Sequence, residues 1–235
     1  MTLAALALAA GSAHAAVMID FESYTVGNIH LQGPWVDFGG VLTSDVSTAQ
    51  AFSGTQSLAL STTTDGAYGS DVYIENLDGA PITSGVWNLS FQVYVPNTYD
   101  GKVSLYQSQG AMPTTFELGS LMEVDNAAGA AVFKNGIDST TLVFDQWTKV
   151  EAVIDLDSNT LDISYGGTPF HSGIWDIDNP GSPSIGGLNW WAHGGATPGT
   201  AYFDDLSLTQ VPEPAAMGLL SLGALLTLKR RRRAS

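Results

Sequence analysis

The side chains of this chain that could do chemistry are mainly carboxylates and indoles. Its 235 residues include 23 acidic residues and six tryptophans but no cysteine. The missing cysteines remove thiol nucleophiles, cysteine metal sites and any disulfide framework. His30, His171 and His193 stand far from any nucleophile motif, so Ser-His-Asp chemistry has no support and structural or surface roles are expected. Glycosidase chemistry needs two carboxylates roughly 5–10 Å apart. Glu123-Val124-Asp125 begins such a set on one strand, but Asn126-Ala127-Ala128-Gly129 follows and the second glutamate is missing. No catalytic residue is assigned.

The indoles offer a different chemistry. Trp190 and Trp191 are adjacent, so on a strand they face opposite ways. With Leu188 on the core face, Trp190 belongs to the core and Trp191 points out. Trp191 is then a candidate platform for the apolar C–H face of a sugar ring, with Trp175, Trp35 and Tyr94 as candidates to join it. The alternative for each is sandwich-core or edge packing. Asp204 raises a separate question. It shares parity with Leu206 and Leu208, which places it on the inward side. An inward carboxylate is costly without a partner, and no arginine precedes Arg230 to pair with it. A hard cation such as calcium is one solution, and a rim carboxylate satisfied by backbone N–H groups and water is the other. Asp155-x-Asp157-x-Asn159 and Asp176-x-Asp178-Asn179 look like the start of calcium loops but lack the loop glycine and downstream glutamate. They are expected to be turns.

Charge excludes several partners. The formal net charge is −15, yet five of the eight basic residues are Lys229 and Arg230 to Arg233 at the extreme C-terminus. Between Ala16 and Val211 there are 22 acidic residues against three lysines, a net −19. Nucleic acid needs a basic stripe, so it is excluded as a partner of this body. Anionic polymers and membranes are repelled by the same field.

The elements that must position these residues are strands. Trp87, Leu89, Phe91, Val93 and Val95 alternate with Asn88, Ser90 and Gln92, a period-two pattern. Val150, Ala152, Ile154 and Leu156 form a second apolar face, with Lys149, Glu151 and Asp155 outward. Leu161, Ile163 and Tyr165 follow across a turn-forming Asp157-Ser158-Asn159, which predicts a hairpin. Further strands are expected at Met18–Phe21, Ser57–Leu60, Asp71–Ile74, Val103–Tyr106, Thr141–Phe144, Leu188–Trp191 and Ala201–Leu208. Many short strands separated by Gly, Asn and Asp predict an all-β, two-sheet antiparallel sandwich.

Both ends of the chain look like processing signals. Leu3 to Ala10 is a short apolar run followed by Ala13-His14-Ala15, the small-x-small form of a leader cleavage site, so residues 1–15 are expected to be a signal peptide. At the other end, Val211-Pro212-Glu213-Pro214 precedes the apolar run Ala215 to Leu228 and the arginine cluster. Fourteen residues span about 21 Å as a helix, short of the roughly 30 Å hydrocarbon core. The arginines would hold that end in the cytoplasm and leave the body outside. V-P-E-P, a short apolar helix and a basic terminus together resemble the PEP-CTERM sorting signal of Gram-negative bacteria. That resemblance implies recognition by an exosortase, a membrane cysteine protease, through Pro212, Glu213 and Pro214. A plain tail anchor is the alternative.

The body, residues 16–210, carries Ile19-Asp20-Phe21-Glu22, the stretch Trp147-Thr148-Lys149-Val150 leading through Asp155 to Leu161 and Gly166-Gly167, and Tyr202-Phe203-Asp204-Asp205-Leu206. These pieces resemble the concanavalin A-like (laminin-G-like) jelly rolls of exported proteins. The resemblance implies a jelly-roll sandwich between a leader peptide and the C-terminal signal of residues 211–235. It also implies a calcium site with Glu22, Asp204 and Asp205 as oxygen ligands. The resulting expectation is a non-enzymatic protein at the cell surface or in the extracellular matrix, with a polysaccharide ligand. A glycoside hydrolase or polysaccharide lyase on the same fold and a self-associating matrix protein are the alternatives.

Overall fold

The computed structural model describes residues 17–63, 68–99, 101–108, 118–125, 129–133, 138–176, 182–195 and 199–212. The leader segment, Glu213, Pro214 and the apolar run after them lie outside the described residues. Among the described residues there is no helix, and so none long and apolar enough to cross a membrane.

The strands in chain order begin with β1 (Val17–Ile19), β2 (Gly27–Asn28), β3 (Trp35–Asp37), β4 (Asp45–Ser47), β5 (Ser57–Ser61) and β6 (Tyr68–Ile74). Then come β7 (Val86–Tyr94), β8 (Lys102–Ser108), β9 (Leu118–Asp125), β10 (Ala130–Phe133) and β11 (Asp138–Thr141). The last five are β12 (Trp147–Asp155), β13 (Thr160–Tyr165), β14 (Thr168–Ile174), β15 (Leu188–His193) and β16 (Thr200–Gln210). They form two sheets. A nine-stranded sheet runs β14-β13-β12-β7-β16-β5-β4-β2, with β1 also paired to β16, and a seven-stranded sheet runs β11-β10-β9-β8-β15-β6-β3. Every named pair is antiparallel, and the architecture is a jelly-roll sandwich.

Period-two patterning explains the layers. In β7 and β12 buried positions alternate without a break with half-buried or exposed ones. Trp87, Leu89, Phe91 and Val93 meet the interior together with Val150, Ala152 and Ile154. The centre of the core is aromatic. Trp190 lies 5.0 Å from Phe91, 5.2 Å from Phe203 and 6.0 Å from Trp35, measured between ring centroids. The predicted hairpin is present as β12 and β13. Asp155 Oδ1 accepts the N–H groups of Asp157 and Ser158, and Asn159 takes φ +56°. That loop is an Asx turn, as its composition predicts.

Two strand expectations are corrected. The strand expected over Thr141–Phe144 lies earlier, at Asp138–Thr141. The Leu142 N–H still bonds the Gly129 carbonyl in register, and the chain then turns away, with Asp145 at φ +58° and its N–H on the Val95 carbonyl. The strand expected over Met18–Phe21 stops at Ile19, because Phe21 adopts φ +62° and its carbonyl accepts the Tyr24 N–H in a turn.

Candidate functional site

The candidate site is the outer face of the seven-stranded sheet, built on β15. Leu188, Trp190 and Ala192 are buried in the core, so Asn189, Trp191 and His193 share the opposite face. Directly opposite partners on neighbouring strands present side chains to the same face. Trp191 is flanked by Asp71 of β6 and Ser104 of β8, and His193 by Tyr68 of β6 and Lys102 of β8. Trp191 and His193 are half-buried. Tyr68 is 61% exposed and packs edge-on, 6.4 Å from Trp191 and 6.5 Å from His193.

Polar groups surround these rings. Asn189 Nδ2 donates to Asp71 Oδ1 at 2.7 Å and to the Val72 carbonyl at 3.2 Å. Ser104 Oγ and His193 Nε2 are 3.0 Å apart. Asp71 is almost fully buried. Its pKa is pushed up to about 6, first by burial and further by the Asp37 carboxylate, while the Asn189 hydrogen bond opposes the rise. The Trp191 indole, the Tyr68 phenol and the His193 imidazole are the groups a ligand can reach, and such rings suit the apolar C–H face of a sugar. Asp71, Asn189 and Ser104 are buried and hold them from beneath.

The candidate stacking residues lie in different places. Trp191 faces outward as parity requires. Trp35 and Trp175 are corrected, being 0% and 4% exposed. Trp35 packs between Phe21 and Trp190 in the core, and the Trp175 indole N–H is tied to the Ser184 carbonyl. Neither can offer a ring face to a glycan. Tyr94 points outward from β7, which places it on the other sheet, away from Trp191. Asp71, Asn189, Ser104, His193 and Tyr68 were not anticipated. Parity alone could have added Asn189 and His193, two positions either side of Trp191.

Register also bears on paired-carboxylate chemistry. Glu123 of β9 stands opposite Ser104, which is opposite Trp191, which is opposite Asp71. The backbones carrying the two acids are therefore three strand spacings apart, roughly 14 Å. Glycosidase pairs lie about 5–9.5 Å apart.

Glu22, Asp204 and Asp205 are brought together around one loop, which joins β4 to β5. Glu22 accepts the N–H groups of Thr55 and Gln56 at 2.8 and 2.7 Å and the Thr55 hydroxyl at 3.0 Å. These bonds, led by that from Thr55 N–H, hold its pKa below the ordinary carboxylate value. Asp204 accepts N–H groups from Phe52, Ser53 and Asp205 at 2.8–3.1 Å, and Asp205 accepts the Ser53 hydroxyl at 2.7 Å. Gln56 returns the contact, its amide reaching the carbonyls of Phe21, Glu22 and Tyr24.

Asp204 does not lie on the core side. It stands opposite Gln92, an outward residue of β7, while Phe203 stands opposite the core residue Val93. An irregularity between Asp204 and Ser207, with Asp205 at φ +49°, restores Leu206 and Leu208 to the core. Its parity with those leucines is therefore broken by the bulge. The carboxylate is fully buried under the loop. Burial pushes its pKa up, against the pull of its N–H donors. Among the described residues no three His, Asp or Glu side chains are grouped to hold a metal ion. As arranged, the carboxylates face N–H dipoles instead of carbonyl oxygens, so the group fits a hydrogen-bonded clamp and not a cation cage.

Known proteins resemble the chain in two ways. Its fold is similar to that of a sialidase (TM-score 0.61, 14% identity), over 85% of this chain but 19% of the sialidase. It is also similar to a glycoside hydrolase family 16 endo-glucanase from Bacteroides ovatus (TM-score 0.52, 13% identity), over 83% of this chain and 99% of the enzyme. An endo-β-1,4-glucuronan lyase from the fungus Trichoderma reesei matches with TM-score 0.52 and 13% identity, over 80% of this chain and 95% of the lyase. At such identities the likeness establishes the fold alone. The chain matches no curated protein sequence. Residues 210–233 match the PEP-CTERM protein-sorting motif, so a jelly-roll sandwich is joined here to a sorting signal that implies exosortase processing.

Proposed function

We propose that this protein is a non-enzymatic, exported jelly roll that binds a polysaccharide on the outer face of its seven-stranded sheet and serves at the cell surface or in the extracellular matrix. The observation that carries this reading is the Trp191 cluster, in which two aromatic rings, one of them 61% exposed, adjoin half-buried His193 and Lys102 over a buried Asp71–Asn189–Ser104 layer. Sugar rings stack on the aromatic faces while polar groups take the hydroxyls. A net −19 over residues 16–211 favours an uncharged chain. The sorting motif supports delivery by way of a membrane-held precursor in a Gram-negative envelope, with the basic tail cytoplasmic. Pull-down on a panel of insoluble and immobilised glycans tests the reading. The parent should be retained by at least one neutral glycan and Trp191→Ala should not. No retention of the parent, or equal retention of the variant, removes the site.

A glycan-cleaving activity is the second reading, favoured by the raised pKa of Asp71 and the contact of Ser104 with His193. The backbone spacing of Asp71 and Glu123 and the lack of arginine in the body weigh against paired-carboxylate and arginine-dependent mechanisms. New reducing ends or unsaturated products from the same panel, lost in Asp71→Asn, would establish it instead.

A further inference from the structure

The opposite face of the sandwich carries its own set of rings. Trp147 of β12 and Tyr202 of β16 are both direct cross-strand partners of Tyr94 on β7. The three side chains therefore form a row across three adjacent strands of the nine-stranded sheet. Their centroids are 5.6 Å apart for Tyr94 and Trp147 and 6.2 Å apart for Tyr94 and Tyr202. All three are half-buried and outside the core. Phe52, 48% exposed, extends the row beyond Trp147 at 6.0 Å. It stands on the clamped loop, its own N–H bound to Asp204.

A pocket of about 340 Å³ adjoins the row, with Ser53, Ser90, Gln92, Lys149 and Ser207 in its lining. Register explains its position. Lys149 and Gln92 form the rung next to Trp147 and Tyr94, and Ser90 pairs with Ser207 one rung further on. The pocket thus offers hydroxyls, an amide and the Asp20 and Asp205 carboxylates beside flat rings. Its ammonium group is neutralised by Glu151 at 2.6 Å. Such a volume falls at the small end of ligand sites.

We propose that the Trp147–Tyr94–Tyr202 row is a second binding surface for a neutral polysaccharide, with successive sugars stacked on the rings and hydroxyls turned into the adjoining pocket. Charge selects this occupant. An anionic chain meets a body of net −19, and the lysine beside the rings is already paired. The row and the Trp191 cluster lie on opposite faces, so one domain can bridge two glycan chains.

The test uses Trp191→Ala protein, in which the other face is silenced, titrated calorimetrically with cellohexaose, laminarihexaose and mannohexaose. At least one should bind saturably. Trp147→Ala added to this background should abolish binding, and Tyr202→Ser should weaken it at least fivefold. If melting shows that Trp147→Ala has lost its fold, Phe52→Ala and Gln92→Ala, both at solvent-facing positions, should each weaken binding in its place. Absence of binding by all three sugars overturns the proposal, as does binding unchanged by the row substitutions. Light scattering that finds a dimer broken by the same substitutions would assign the row to self-association and overturn it equally. Because Trp191 is absent throughout, failure here leaves the reading of the other face untouched.

Discussion

The Glu22 carboxylate occupies the space that a side chain on Gly54 would need. A Cβ built on Gly54 would lie 2.3 Å from Glu22 Cδ, and Gly54 sits at φ +58°. The loop therefore wraps the carboxylate closely enough for Thr55 and Gln56 to donate to it. Gly54→Ala should combine backbone strain with loss of these bonds, at a cost of about 2–4 kcal/mol. Gly79, at φ +73° with nothing near its Cβ, is the control. Gly79→Ala should cost only about 1 kcal/mol. Urea melts of the two variants check the difference, and equal losses would show that Glu22 does not fill the space.

The other side of the clamp is Asp204. Asp204→Ala removes a fully buried carboxylate and leaves the N–H groups of Phe52, Ser53 and Asp205 without their acceptor. About 2–4 kcal/mol should be lost. Faster amide exchange at Phe52 and Ser53 should accompany the loss. Wild-type protection of those amides in the variant would show that another acceptor replaces the carboxylate.

The clamp also makes a statement about calcium. The carboxylates of Glu22 and Asp204 already point at hydrogen-bond donors. Thermal melts with calcium and with a chelator should coincide. A rise of several degrees with calcium would mean that the loop can rotate its carbonyls inward and surround a cation held by Glu22, Asp204 and Asp205.

These residues show which parts of the fold are legible from sequence. The alternation of β7 and the Asp155–Asn159 turn are local, and both are present as the pattern requires. The outward face of Trp191 followed from a single strand's parity. Parity failed at Asp204, because the irregularity after it is tied to a loop some 150 residues earlier in the chain, through the N–H groups of Phe52 and Ser53. Asp71 and Ser104 entered the candidate site for a similar reason. They flank Trp191 only because β15 inserts between β6 and β8, an order no local period encodes.

Asp71 should give stability a pH dependence of defined sign. Its folded-state pKa of about 6 lies above the ordinary 3.8. The native state thus holds the proton more tightly than the unfolded chain. The resulting stabilisation is complete below about pH 3.8 and is lost as pH rises through about 6. Asp71→Asn stays neutral throughout, so its stability relative to the parent should improve by about 1–2 kcal/mol between pH 4 and pH 7, a figure reduced for partial solvent screening. The comparison cancels groups of opposite sign such as Glu22 and Asp155, whose pKa values are lowered. A constant difference across that range would show that Asp71 titrates normally.

The sorting motif begins inside the last strand. Gln210 ends β16, and the Val211 N–H still bonds the Val86 carbonyl at 2.8 Å, so the sandwich is closed up to the residue before Pro212. Proline donates no N–H, so Pro212 cannot donate a further bond to the ladder. A membrane protease acting at this motif must work against a folded domain with almost no intervening chain. Inserting ten Gly and Ser residues between Val211 and Pro212 should therefore speed conversion of the membrane-held precursor, measured by pulse-chase and cell fractionation. Replacing Pro212, Glu213 and Pro214 by alanine should instead leave the precursor in the membrane fraction. If the inserted linker leaves conversion unchanged, the protease engages the motif without needing clearance from the sandwich. If the alanine variant is processed normally, Pro212, Glu213 and Pro214 are not what it recognises.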